Sequence, residues 1–464
     1  MTKSQPNKDL PWRKTYLVLF ATLIAILPFS YQPLIHLGTT NGANYDFSLI
    51  YAVMVGVVVT ALPAIYRRSN ILLQNKINLL LLSFAVWNVI STFWSANPLR
   101  GSITASLIML GVLVFLSVQT YGAMLLHYRR VLSNTLKITT IGLGVFSLYQ
   151  LFGDSLGFPS QLTLLPTAYM SHVFGFARIT GFSAEPEFLG SFLLLPLGVF
   201  LYLAVTKKRT SDLLMVAFCA LLITLTLSRG ALIASAILVI SMLALCYKQL
   251  NLRRFAKVLG YGIGGVLVAV ALFSFAAGIN TRDDISARQA FNMAVNQVSL
   301  GTINLHQKTA INDRDRSESP KPTAPQSSDS GYVASSTDSR LQMSREALGL
   351  LNDQPLRFIY GIGSGSFGAS LHAESPRFSE ASIVNNQYVE IFTELGIIGL
   401  VLFASFLYML FRQLLHDEQY IFIPIIVGIL VQWLFFSGYP NVLHLWPILG
   451  MALILVPKKL GILR

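Results

Sequence analysis

Charge is scarce in this chain. Only 12% of its 464 residues are Asp, Glu, Lys or Arg, against about 25% in an ordinary soluble domain, and that shortfall excludes the soluble globular class. Cysteine is nearly missing as well. Cys219 and Cys246 both lie in apolar segments and are too few for a disulfide framework or a cysteine metal site, so they read as packing residues. Acid is scarcer than base, 21 residues against 34, which leaves a net charge of +13. In a chain that is 53% hydrophobic, with a mean hydropathy of +0.60, basic residues report membrane topology, and nucleic acid is not the expected partner.

What the chain has in abundance is long apolar runs. They fall near 16–36, 47–66, 77–96, 103–126, 136–153, 188–206, 212–228, 231–249, 256–278, 388–411, 419–437 and 441–457. Each is long enough to cross about 30 Å of hydrocarbon as a helix, which predicts an all-α polytopic membrane protein of about 12 transmembrane helices. The first run follows Lys3, Lys8, Arg13 and Lys14 but has no small-residue cleavage site, so it reads as a retained helix.

Lysine and arginine give the orientation. Beyond the N-terminus they gather at Arg67, Arg68 and Lys76, at Arg129, Arg130 and Lys137, at Lys207–Arg209, at Lys248, Arg253, Arg254 and Lys257, at Arg412, and at Lys458, Lys459 and Arg464. All of these lie on the side shared by both termini, which the positive-inside rule makes cytoplasmic. The expected location is the cytoplasmic membrane, with both termini inside. The opposite face has Arg100, Arg178 and Arg229 in short connections and one long connection between spans nine and ten. The expected organisation is therefore helices over 1–278, an external loop over 279–387, and helices over 388–464. Chemistry on that face has no ATP or nucleotide sugar available, and a lipid-linked pyrophosphate would supply an activated donor.

Within the loop, 311–339 is rich in Ser, Asp, Pro, Thr and Lys and reads as a flexible tether. From 339 to 351 the pattern turns helical, with Leu341, Leu348 and Leu351 on one face of an amphipathic helix suited to a membrane surface. GIGSGSFG at 361–368 matches a dinucleotide fingerprint by spacing alone. No βαβ pattern surrounds it, and its physical content is a glycine-rich turn whose N–H groups can face an anion.

Three clusters carry candidate chemistry. Arg229 is the sole charge between Leu213 and Cys246, an expensive position that calls for a polar, anionic partner. FARITGFSAEPEFLG at 176–190 puts Arg178, Glu185 and Glu187 at the mouth of span six. Two arginines could hold a diphosphate, and a carboxylate could take a proton from an attacking hydroxyl, although Arg178 could equally pair with Glu185 or Glu187 merely to neutralise both. NNQYVEIFTELGIIGL at 385–400 offers a polar collar of Asn385, Asn386 and Gln387, then Tyr388, with Glu390 and Glu394 one helical turn apart.

Taken together, RITGFSAEPEFLGSFL, LTLSRGALIA, SRLQMSREALGLLNDQPLRFIYGIGSGSFG and NNQYVEIFTELGIIGL resemble the core of the O-antigen ligase and Wzy-type polymerase superfamily. The resemblance implies a GT-C-like, metal-independent inverting glycosyltransferase without a cofactor. It would move a glycan from undecaprenyl pyrophosphate to a hydroxyl acceptor, with membrane lipid and a chain-length regulator as further partners. By position, Arg178, Arg229 and Arg340 match the family's basic residues. Arg178 and Arg229 are the expected pyrophosphate ligands, Glu187 or Glu185 the expected base, and Arg340, Asn385, Asn386, Tyr388 and Glu394 the expected substrate contacts.

One departure matters. Ligases of the family begin the last motif with a His-Asn pair, and here Asn385 stands in the histidine's place; His372 lies 13 residues earlier. The loss favours a polymerase of O-antigen or exopolysaccharide repeats over a ligase acting on lipid A-core, as does the Glu-Pro-Glu segment. A lipid-linked glycan flippase would also hold anionic lipid with arginines, but should show repeat symmetry and charges in the middle of several helices.

Overall fold

The computed structural model describes residues 12–29, 34–40, 43–165, 172–173, 176–280, 287–299, 302–303, 331–352, 354–417 and 420–454. Lys3 and Lys8, residues 311–330 of the expected tether, and Lys458, Lys459 and Arg464 lie outside them.

Helices fall on every one of the apolar runs, because a helix pairs all its own backbone groups where water is absent. They are α1 (Arg13–Ile26), α2 (Leu49–Arg67), a short α3 (Ser69–Gln74), α4 (Lys76–Ser91), α5 (Pro98–Thr120), α6 (Arg129–Ser155), α7 (Pro186–Lys207), α8 (Thr210–Leu225), α9 (Arg229–Leu245) and α10 (Leu252–Gly278). After α11 (Ala287–Val298), α12 (Gly331–Asn352) and α13 (Phe367–Glu374) in the long connection come α14 (Gln387–His416), α15 (Phe422–Gln432) and α16 (Leu445–Ala452). Asn75, Asn97, Ser228, Asn251 and Asn386 cap their helices with a side-chain oxygen.

Seven of these helices, α2, α4, α5, α6, α7, α10 and α14, are long and apolar enough to cross a membrane. The other runs form shorter helices. The run at 16–36 does not stay helical throughout: α1 stops at Ile26, just before Pro28, and Leu34–Thr40 is a strand (β1) paired antiparallel with Ala43–Ser48 (β2). At ~1.5 Å per residue α1 is only ~21 Å long. A second tiny ribbon joins His172–Val173 to Phe176–Ala177.

α7 is the innermost span, with 72% of its apolar window buried, and α8, α9 and α15 pack on it. Whatever its first turn carries therefore sits near the axis of the bundle.

α14 is broken at Gly396, which adopts φ 66°. Breaking a helix there frees the carbonyls of residues 393–395, which cannot be left unpaired in an apolar setting. Ile362 and Gly363 donate their N–H groups to Thr393 and Glu394 (both 2.9 Å), and Trp87 of α4 donates Nε1–H to Leu395 at 2.9 Å. Trp87→Phe is expected to leave that carbonyl unpaired and cost about 1–3 kcal/mol, read as a lowered unfolding midpoint in detergent.

The glycine-rich turn thus docks on the break, and a small second core forms beside it. Ala347, Leu350 and Leu351 of α12 pack with Ile362, Phe367, Leu371 and Val384. Two expectations change here. α12 begins at Gly331, so the last nine residues of the expected tether are helical. Of the expected leucine face only Leu351 is buried, while Leu341 and Leu348 are exposed, because the inward face is chosen by partners from the turn.

Candidate active site

The mouth of α7 gathers charge from three parts of the chain. Pro186 starts the helix, which places Glu185 just outside it and Glu187 in its first turn. The Oε1 of Glu187 lies 3.5 Å from Nη2 of Arg178 and 3.4 Å from Nη2 of Arg340. Arg178 comes from the segment following the second ribbon and Arg340 from α12. Arg178 is 7% exposed and also donates Nε–H to the carbonyl of Thr226 at 2.9 Å. That carbonyl belongs to the turn between α8 and α9, three residues before Arg229, which is half-buried at the start of α9. Gly190 lets α9 approach, since a Cβ there would strike the Cβ of Ala231.

Glu185 is the titratable member. Burial first, and then the neighbouring Glu187 carboxylate, push its carboxyl up to about 7 against the opposing pull of Arg178 and Arg340. A carboxyl in that range sits where a general base works near neutral pH.

The 385–394 residues occupy a neighbouring layer. Asn386 caps α14, accepting from the N–H groups of Tyr388 and Val389 at 3.1 and 3.2 Å, and donates to the Leu434 carbonyl at 3.3 Å. Tyr388 donates its hydroxyl to Leu430 O at 2.6 Å. Asn385 takes φ 61° and donates to Ile383 O at 3.4 Å. Gln432, at the end of α15, joins this layer to the charge cluster by donating Nε2–H to the carbonyl of Glu187 at 2.9 Å.

Glu394 lies elsewhere. Its carboxylate accepts from Gly365 N at 2.8 Å and Phe367 N at 3.2 Å, so the anion that fills the glycine-rich turn comes from the chain itself. It ties that turn to α14. His372 donates Nδ1–H to the Phe378 carbonyl, 2.7 Å away on its own side of the loop.

Sequence reasoning missed Gln432, and it missed His444, whose Nε2 lies 3.2 Å from Ser191 Oγ one turn below Glu187. It also missed the buried Asn88, whose Oδ1 accepts from the Tyr439 hydroxyl at 2.7 Å. The available signal was an uncharged polar residue inside an apolar run.

A helical multi-pass membrane protein with arginines and carboxylates converging at the mouth of its central helix is the class defined so far. Residues 214–404 match the O-antigen ligase family. That match supports the resemblance of its motifs to the superfamily of O-antigen ligases and Wzy-type polymerases. The match runs from α8 into α14 and takes in Arg229, Arg340 and the 385–394 layer, while Arg178, Glu185 and Glu187 precede it. A search of curated proteins gives no match.

Proposed function

We propose that the chain polymerises lipid-linked glycan repeats by inverting, metal-independent transfer from undecaprenyl pyrophosphate to a sugar hydroxyl on the periplasmic face of the inner membrane. The supporting observation is the shared carboxylate: two guanidiniums from distant segments meet on Glu187, with Glu185 beside them. Such a pair of cations suits a diphosphate, whose charge grows as the anomeric C–O bond breaks. In the resting site Glu187 occupies the place that a diphosphate oxygen would take.

The acceptor hydroxyl oxygen attacks the anomeric carbon of the donor sugar. The bond from that carbon to the diphosphate oxygen breaks, and its electron pair leaves with undecaprenyl diphosphate on Arg178 and Arg340, the two guanidiniums that share Glu187, with Arg229 at the adjoining turn as a third cation. The hydroxyl proton passes to Glu185, whose environment suits it better than Glu187, already held by two arginines. Arg340 carries α12 over the site.

Polymerase is preferred over ligase because no histidine stands at Asn385, and His372 is anchored to the loop backbone. The purified protein, given a lipid-linked single repeat, is expected to release a ladder of longer glycans, and a deletion strain to accumulate lipid-linked single repeats. Accumulated lipid-linked polymer would instead identify the ligase reaction, and donor held in the cytoplasm a flippase.

The base assignment carries a pH signature. Glu185 must be ionised to accept the proton, so with its carboxyl at about 7 the rate should climb about tenfold per unit at acidic pH and level off above that value. Glu185→Gln should remove this limb. An unchanged limb in that variant would move the base elsewhere.

A further inference from the structure

The other end of the bundle holds a cavity that the transfer chemistry does not use. We propose that it binds the headgroup of an anionic phospholipid.

The groove, about 500 Å³, opens between the α3–α4 corner and the last turns of α14, with Gln74, Asn75 and Lys76 on one wall and Arg412, Gln413 and His416 on the other. Its one described acid, Asp417, is turned to its own helix: Oδ2 accepts from Gln413 at 3.4 Å and Oδ1 lies 3.1 Å from His416 Nδ1. Lys76 and Arg412 have no ion-pair partner among the described residues. Two cations thus face one cavity with no described carboxylate paired to either, and the amides of Gln74, Asn75 and Gln413 stand beside them as hydrogen-bonding groups.

The setting selects a lipid over a soluble anion. α4 and α14 both have the length and hydropathy of membrane spans, and the groove lies at the ends remote from the glycine-rich turn. Within two residues of its lining in the chain stand Leu73, Leu79, Tyr408 and Leu415, all exposed apolar side chains. Acyl chains would lie along these residues while a phosphate sits between Lys76 and Arg412, the arrangement by which basic pockets between spans hold anionic headgroups. Phosphatidylcholine would bring its own cation into the same cavity and is disfavoured.

The full chain in detergent can be titrated with short-chain phosphatidylglycerol, phosphatidylcholine of equal chain length, and inorganic phosphate, with the unfolding midpoint as readout. Phosphatidylglycerol alone should raise it. The K76A/R412A pair should bind it roughly 30-fold more weakly, and Lys76→Gln alone about fivefold, whereas K76R/R412K should bind like the parent. Should the neutral pair fail to fold, Lys76→Gln decides. Unchanged affinity in the neutralised variants, or an equal shift from phosphatidylcholine or from phosphate, would overturn the proposal.

Discussion

Arg178→Ala is expected to cut glycan transfer by about 10²–10³-fold, the largest catalytic effect of any single change at the α7 mouth. Its guanidinium reaches in different directions to the Thr226 carbonyl and to Glu187, and it does so while almost wholly buried. Removing it strips one cation from the proposed leaving-group site and also leaves Glu187 with Arg340, which breaks a buried pair at a cost of about 3–5 kcal/mol. The two losses can be separated. Arg178→Lys keeps the charge but has no planar fork to serve both partners, so it should remain folded and still transfer poorly. The measurement is polymer yield from a defined lipid-linked donor at equal amounts of folded protein. Parental activity in either variant would remove Arg178 from the reaction, and a parallel test of Arg229→Ala would then decide whether the α8–α9 turn contributes.

Gly396→Val is expected to abolish stable accumulation of the protein. A β-branched residue at φ 66° costs about 1–3 kcal/mol in backbone strain alone. The second cost is steric. A Cβ at this position would run into the Ile359 carbonyl and the Tyr360 nitrogen, backbone atoms with no rotamer by which to yield. Avoiding that clash would push the glycine-rich turn off α14 and unpair the carbonyls of Thr393 and Glu394 together with the Glu394 carboxylate. A folded protein with a parental unfolding midpoint would show that the break in α14 is not held by this contact.

Much of the architecture was legible in the sequence because apolar runs and stray charges have direct physical meaning. A charge such as Arg229 or Glu187 in an apolar setting is costly, so its position alone marks a candidate site. The pairing was not legible. Arg340 meets Glu187 across 153 residues, and nothing local states which carboxylate an arginine will choose. Helix ends were legible only in part: Pro28 stops α1 early, and α12 starts before its composition turns apolar. Glu394 shows the deeper difficulty, since a buried carboxylate facing substrate and one satisfying a glycine-rich turn look alike until the turn is placed. Gln432 and Asn88 were overlooked because one neutral polar residue barely disturbs an apolar run.

The span between Glu187 and Arg340 also imposes an order on biogenesis. A chain threaded into the membrane from its N-terminus presents Trp87 308 residues before the Leu395 carbonyl that it holds, and Arg178 and Glu187 long before Arg340 is synthesised. Up to that moment no three-charge site exists. A nascent or truncated chain ending before α12 would therefore be inserted yet inert, and the cell would gain transfer activity only from chains that have completed their passage.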